Sequence, residues 1–102
     1  MSWEQFVKVI GNTRRLRGEG HQAEALSELK AAWEEALEEG DQYSVCGLAH
    51  DLGHTETEAE SQLRWHVEAL RAADAVEDRE RVRLFYPSLH LNLGLTYLRL
   101  GD

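Results

Sequence analysis

Apolar residues recur every three to four positions along most of this chain, which is the spacing of a helix that buries one face. The clearest stretch runs from His21 to Glu39, and Gly40 is a suitable C-terminal stop. Its apolar stripe consists of Ala25, Leu29, Ala32 and Ala36. A similar pattern from Trp3 to about Leu16 predicts an earlier helix that Gly20 brings to an end.

The pattern continues in the second half of the chain. Asp41 can cap a third helix over 42–52, with Gly53 as its stop. Thr55 or Thr57 can cap a fourth that ends near residue 76, and Glu58 would complete a capping box with Thr55.

The last segment can be read as a helix or as a strand. Asp78 can cap a helix there, and Pro87 must kink or restart it because proline has no amide hydrogen. Apolar and polar residues also alternate from Leu89 to Tyr97, which is the period of a half-buried strand. A strand needs a partner, and no other segment looks like one, so we expect a helix. The prediction is an all-α fold of about five antiparallel helices.

Composition fits one small domain over residues 1–102. A hydrophobic fraction of 42% is enough to form a core. The chain has 11 basic and 19 acidic residues, which leaves a net charge of −8. Binding to nucleic acid is therefore not expected, because it depends on clustered lysine and arginine.

Cysteine usage and the N-terminus bear on localisation. The single cysteine, Cys46, cannot form an intrachain disulfide and fits a reducing compartment. No apolar run has the length of a membrane span, and the N-terminus lacks the basic start and apolar stretch of a signal peptide. We expect a cytoplasmic protein that does not contact membranes.

The run from Asn92 to Asp102 carries a family resemblance. It contains Asn-Leu-Gly, then Tyr97 three residues after the glycine, then Gly-Asp at the end. This order resembles the first helix and turn of a tetratricopeptide repeat, and the stretch from Leu63 to Asp102 resembles the long-helix variants of that family found in bacteria. The spacing from Gly20 to Gly53, 53 − 20 = 33 residues, is close to that family's period of about 34 residues.

The resemblance implies a helical-hairpin stack, an α-solenoid fragment with units 3–41 and 42–77 and an incomplete unit 78–102. In this family the first helices line a concave groove that holds a peptide or a partner helix. Counting back from the glycine stops, the groove residues would be Arg14, Arg17, Tyr43, His50, Asp51, Leu91, Leu95 and Arg99. Because guanidinium groups bind carboxylates bidentately, an acidic segment is a plausible guest, although these arginines could also be merely solvated.

The chain stops where the family's second helix would begin. We therefore expect a fragment of a longer protein, or a last helix without its partner. Either case predicts exposed apolar surface at Leu93, Tyr97 and Leu100, and self-association through it. The expected function is a noncatalytic protein- or peptide-binding scaffold that forms homo-oligomers. The alternative is a ligand- or peptide-responsive regulatory domain.

Cysteine and histidine offer a weaker possibility. Cys46, His50 and His54 lie four residues apart and could bind zinc, with Asp51 or His66 as a fourth ligand. However, Gly53 is expected to end the helix before His54, and the close ligand pairs of zinc folds are missing. A buried Cys46 is also more plausible than a nucleophile activated by His50. We therefore expect no metal, no cofactor and no enzymatic activity.

Overall fold

Five long helices account for most of the structure, a computed structural model that describes residues 1–101. They are α1 (Trp3–Gly18), α2 (Gln22–Glu39), α3 (Gln42–Thr55), α4 (Ala59–Ala75) and α6 (Tyr86–Arg99). A one-turn helix α5 (Arg79–Val82) and a 3-10 turn (Arg83–Phe85) precede α6. Residues 1–101 contain no strand, so the all-α prediction is confirmed and the strand alternative is wrong. No helix in this part of the chain is long and apolar enough to cross a membrane.

Several helix ends lie where the sequence predicts them. The carboxylate of Asp41 accepts a hydrogen bond from the Ser44 amide at 3.2 Å, which caps α3. The carboxylate of Asp78 caps α5 in the same way. Gly40 ends α2 with a φ of 69°, a left-handed conformation that glycine adopts without steric cost. Pro87 lies in the first turn of α6, where its missing amide hydrogen costs nothing.

The boundary between α3 and α4 differs from the prediction. Helix α3 continues through Gly53 and ends at Thr55. The Thr55 hydroxyl donates to the carbonyl of Asp51 at 2.7 Å and caps nothing, and Glu58 precedes α4 without a side-chain cap. The predicted capping box is therefore wrong. Gly53 is not a turn, so the 33-residue spacing from Gly20 does not join two equivalent turns.

Helices that are close in sequence pack against each other. Helix α1 contacts α2, α2 contacts α3, α3 contacts α4, and α4 contacts α6, while α1 also touches α3. The largest fully buried side chains include Leu29, Val45, Leu48, Leu52 and Leu89. Buried alanines on α2 and α4 keep the helix axes close, because small side chains allow a close approach. This arrangement leaves one side of α1 and α3 open toward residues 84–89.

Candidate functional site

A cleft of about 500 Å³ opens between α1, α3 and residues 84–89. Its apolar walls are formed by Trp3, Phe6, Val7, Ile10, Tyr43, Leu84, Phe85 and Leu89. Helix α1 supplies one wall because its apolar residues recur at helical spacing and so share a face. The cleft has the size and the mainly apolar lining that are typical of binding sites.

An aromatic cluster lines the cleft. The ring of Phe6 stacks on Trp3 with centroids 5.7 Å apart and lies 6.1 Å from the ring of Tyr43. The ring of Phe85 lies 5.4 Å from that of Tyr43. Gly47 makes room for this packing, since a Cβ there would lie 2.7 Å from Cε2 of Phe6. A side chain at position 47 would therefore displace the ring of Phe6 from its present position.

Arg14 and Asp51 form a bidentate ion pair at one end of the cleft. The Arg14 guanidinium donates to both carboxylate oxygens, at 3.1 Å from Nε and 2.9 Å from Nη2. Nδ1 of His50 lies 3.6 Å from the same carboxylate. Burial alone would raise the pKa of Asp51, but His50 and Arg14 outweigh burial and lower it. At neutral pH the carboxylate is therefore ionised, and the positive charge of Arg14 balances it.

A second cationic group lies next to a residue that lines the cleft. The guanidinium of Arg81 lies 3.8 Å from the ring centroid of Tyr43, which is a cation–π contact. No carboxylate in the described part of the chain forms an ion pair with Arg81. Its charge is thus available beside the aromatic cluster.

The structure brings four of the predicted groove residues together. Arg14, Tyr43, His50 and Asp51 all line the cleft. Arg14 and Asp51, predicted as separate groove positions, are paired with each other.

The other four predicted groove residues lie outside the cleft. Arg17 donates to the Thr55 hydroxyl at 3.0 Å, one turn beyond Arg14. Arg99 hydrogen-bonds the side-chain oxygen of Gln62. Leu91 and Leu95 are exposed on α6, beyond the last lining residue. The three arginines therefore do not form a continuous basic lining.

The residues predicted for self-association lie on one side of α6, at intervals of four and three residues, but they differ in exposure. Leu93 and Leu100 are half-buried, at helical spacing from the buried Leu89, whereas Tyr97 is exposed. The most exposed leucines of α6 are Leu91, Leu95 and Leu98. The exposed leucines of α6 therefore lie on a different face from the one that the sequence predicted.

Cys46 is fully buried, and burial raises the pKa of its thiol to about 12. A thiol in this state is protonated at neutral pH, so it is a poor nucleophile. Within residues 1–101, no group of three or more histidine, cysteine, aspartate or glutamate side chains is placed to hold a metal ion.

Three histidines form a row between α3 and α4. Because α3 continues past Gly53, His54 lies on the same face as His50, with ring centroids 4.6 Å apart. The ring of His66 lies 5.5 Å further along. Burial, aided by the charges of His54 and His50, lowers the pKa of His66 to about 4. Its Nδ1 is buried without a hydrogen-bond partner, so His66 is a neutral core residue at pH 7.

Most residues that line the cleft were not predicted from the sequence, among them Phe6, Gly47 and Phe85. Phe6 could have been found, because it precedes Ile10 and Arg14 by four and eight residues on one helical face. Gly47 and Phe85 gave no such signal. Their roles depend on contacts between segments that are far apart in the chain.

Comparison with known proteins does not identify a relative: no family model, curated protein or solved structure matches this chain. The resemblance to tetratricopeptide repeats therefore stays a prediction, supported by the motif at residues 92–102. Any conclusion about function depends on the cleft and on the exposed surface of the helices.

Proposed function

We propose that this chain is a noncatalytic protein-binding scaffold of the tetratricopeptide kind, in which the cleft holds an apolar segment of a peptide or partner helix. The open aromatic cleft is the observation that carries this proposal. The proposal places the protein in the cytoplasm, where the free thiol of Cys46 would stay reduced.

Exposed apolar side chains at the edge of the cleft support a macromolecular guest. Trp3, Val7 and Leu84 all line the cleft and are all largely exposed. Soluble monomers rarely leave several large apolar side chains together in water without a use for them. A guest that covers them would remove apolar surface from water and gain free energy.

The charged groups support a guest that also carries a carboxylate. The side chain of Arg14 is more than half exposed although it holds Asp51, so a guest could still reach it. Arg81 adds a positive charge beside Tyr43. A carboxylate of the guest could approach either group, and this would set the orientation of an otherwise apolar segment.

A matched pair of valines allows a direct test. Val7 and Val67 are each 47% exposed, but only Val7 lines the cleft. Peptides selected from a random display library on the wild-type chain should bind the Val67→Glu variant with unchanged affinity. They should bind the Val7→Glu variant at least about tenfold more weakly, because a carboxylate would then stand in the apolar mouth.

Two outcomes would contradict the proposal. One is a library of high diversity that yields no binder to the wild-type chain. The other is a set of peptides that bind the Val7→Glu and Val67→Glu variants equally well. Circular dichroism of both variants checks that they retain the helical fold.

A further inference from the structure

We propose that α6 is a homodimerisation surface, on which two copies of this chain pack through Leu91, Leu95 and Leu98. This inference does not depend on the cleft, because none of the three leucines lines it. The occupant of the surface is a second copy of the same helix.

The three leucines form one apolar face. They are 61%, 52% and 71% exposed, respectively. They follow each other at intervals of four and three residues, which places them on one side of a helix. Leu89 and Thr96, which are buried, point away from that side. Helix α6 therefore has a buried face and a separate exposed apolar face.

The distribution of charge favours a second copy as the occupant. Helix α6 contains no aspartate or glutamate, and its only formally charged residue is Arg99. Each of the other four long helices carries at least one acidic residue, and the whole chain has a net charge of −8. Two identical acidic molecules repel each other on most faces. They meet on α6 without opposing carboxylates at the contact.

Helical geometry indicates an antiparallel pairing. A two-fold axis between residues 94 and 95 would bring Leu91 of one copy next to Leu98 of the other, and the two copies of Leu95 next to each other. Gly94 borders the apolar face, and a Cβ built there meets no atom within 4 Å. The second helix therefore has room to approach closely. The same arrangement places the two Arg99 side chains at opposite ends of the contact, which limits their repulsion.

Sedimentation equilibrium tests the dimer with one variant and a control. We expect the wild-type chain to dimerise with a Kd below about 1 mM. Leu95→Glu should raise the Kd at least about a hundredfold, because two carboxylates would face each other across the axis. The control is Leu84→Glu, since Leu84 is even more exposed but lies at the cleft. Its Kd should change by less than about threefold.

A charge-swap experiment tests the antiparallel geometry. Leu95→Glu and Leu95→Lys should each be monomeric alone and should form a heterodimer when mixed, because opposite charges then meet at the axis. Leu95→Cys should form an intermolecular disulfide in air, whereas Tyr97→Cys should not. The buried Cys46 does not interfere, since it is fully inaccessible.

Several results would overturn the inference. They are a wild-type chain that is monomeric up to about 1 mM, a dimer that survives Leu95→Glu, and a dimer that is lost in Leu84→Glu instead. The last result would place self-association in the cleft. Circular dichroism of each variant shows whether the helices remain folded, so that loss of dimer is not confused with unfolding.

Discussion

The guanidinium of Arg14 holds the carboxylate of Asp51 through two hydrogen bonds, of 3.1 and 2.9 Å, across the contact between α1 and α3. The two residues are 37 positions apart in the chain. The Asp51 side chain is almost entirely buried, so Arg14 and the nearby His50 are the groups that stabilise its charge. The pair fixes the polar end of the cleft and also joins the first helix to the third.

Loss of the Arg14 side-chain charge should destabilise the fold. We expect Arg14→Met to lower the free energy of unfolding by about 1–2 kcal/mol at pH 7, because it leaves a buried carboxylate without its cation. Arg15→Met is the matched control. Arg15 is 58% exposed against 56% for Arg14, but it pairs with an exposed glutamate. Its loss should cost less than about 0.5 kcal/mol. Urea unfolding measures the free energy of unfolding of both variants. Equal losses would show that the pair of Arg14 with the buried Asp51 stabilises the fold no more than an exposed ion pair does.

Gly53→Ala should be destabilising although Gly53 lies inside a helix. A Cβ at this position would lie 2.6 Å from Nδ1 of His66, which is buried and has little freedom to move. The expected loss is about 1–3 kcal/mol, despite the better helix propensity of alanine. Gly11→Ala should instead gain about 0.5–1 kcal/mol, because nothing lies within 4 Å of a Cβ there. Thermal unfolding followed by circular dichroism compares the two, and a stabilised Gly53→Ala would contradict the packing of His66 against α3.

The low pKa of His66 should make the fold sensitive to acid. The pKa is about 4 in the folded chain, against an ordinary value of 6.5. Below pH 6.5 the unfolded chain therefore binds a proton at this residue that the folded chain does not bind. The stability associated with neutral His66 is complete above pH 6.5 and is lost as the pH falls toward 4. The difference between the folded and unfolded pKa values of His66 corresponds to about 3 kcal/mol of folding stability.

A His66→Gln variant isolates this effect. Its free energy of unfolding should fall less steeply than that of the wild type between pH 6.5 and 4, as measured by urea unfolding at a series of pH values. Some dependence should remain, because burial also lowers the pKa of His54. The pKa of Asp51 is lowered as well, but its contribution is lost only as the pH falls through that lowered value. If the free energy of unfolding fell equally steeply with pH in the variant and in the wild type, His66 would not have this lowered pKa.

Cys46 should be unreactive in the native protein. Its side chain is inaccessible, and the pKa of about 12 leaves almost no thiolate at pH 8. We expect Ellman's reagent to label it slowly in buffer and at once in guanidinium chloride. Stoichiometric labelling of the folded chain within seconds would show that the interior between α3 and its neighbours is open.

Local sequence determined the helices of this protein. The spacing of Ala25, Leu29 and Ala32 defines a buried face because an α-helix repeats every 3.6 residues, and the structure buries all three. Asp41 and Asp78 mark helix starts because their carboxylates reach amides only three residues away. These are short-range effects, which a sequence can show without knowledge of the fold.

Tertiary structure decided the rest. Gly53 reads as a stop in the sequence, but it lies within α3, and its missing side chain leaves the space into which His66, thirteen residues further on, packs. The sequence suggested that Arg14 and Asp51 share a groove. Only the packing of α1 on α3 decided that they neutralise each other. Likewise, the exposed face of α6 is set by how that helix lies on α4, because the apolar pattern of α6 alone offers more than one face to bury.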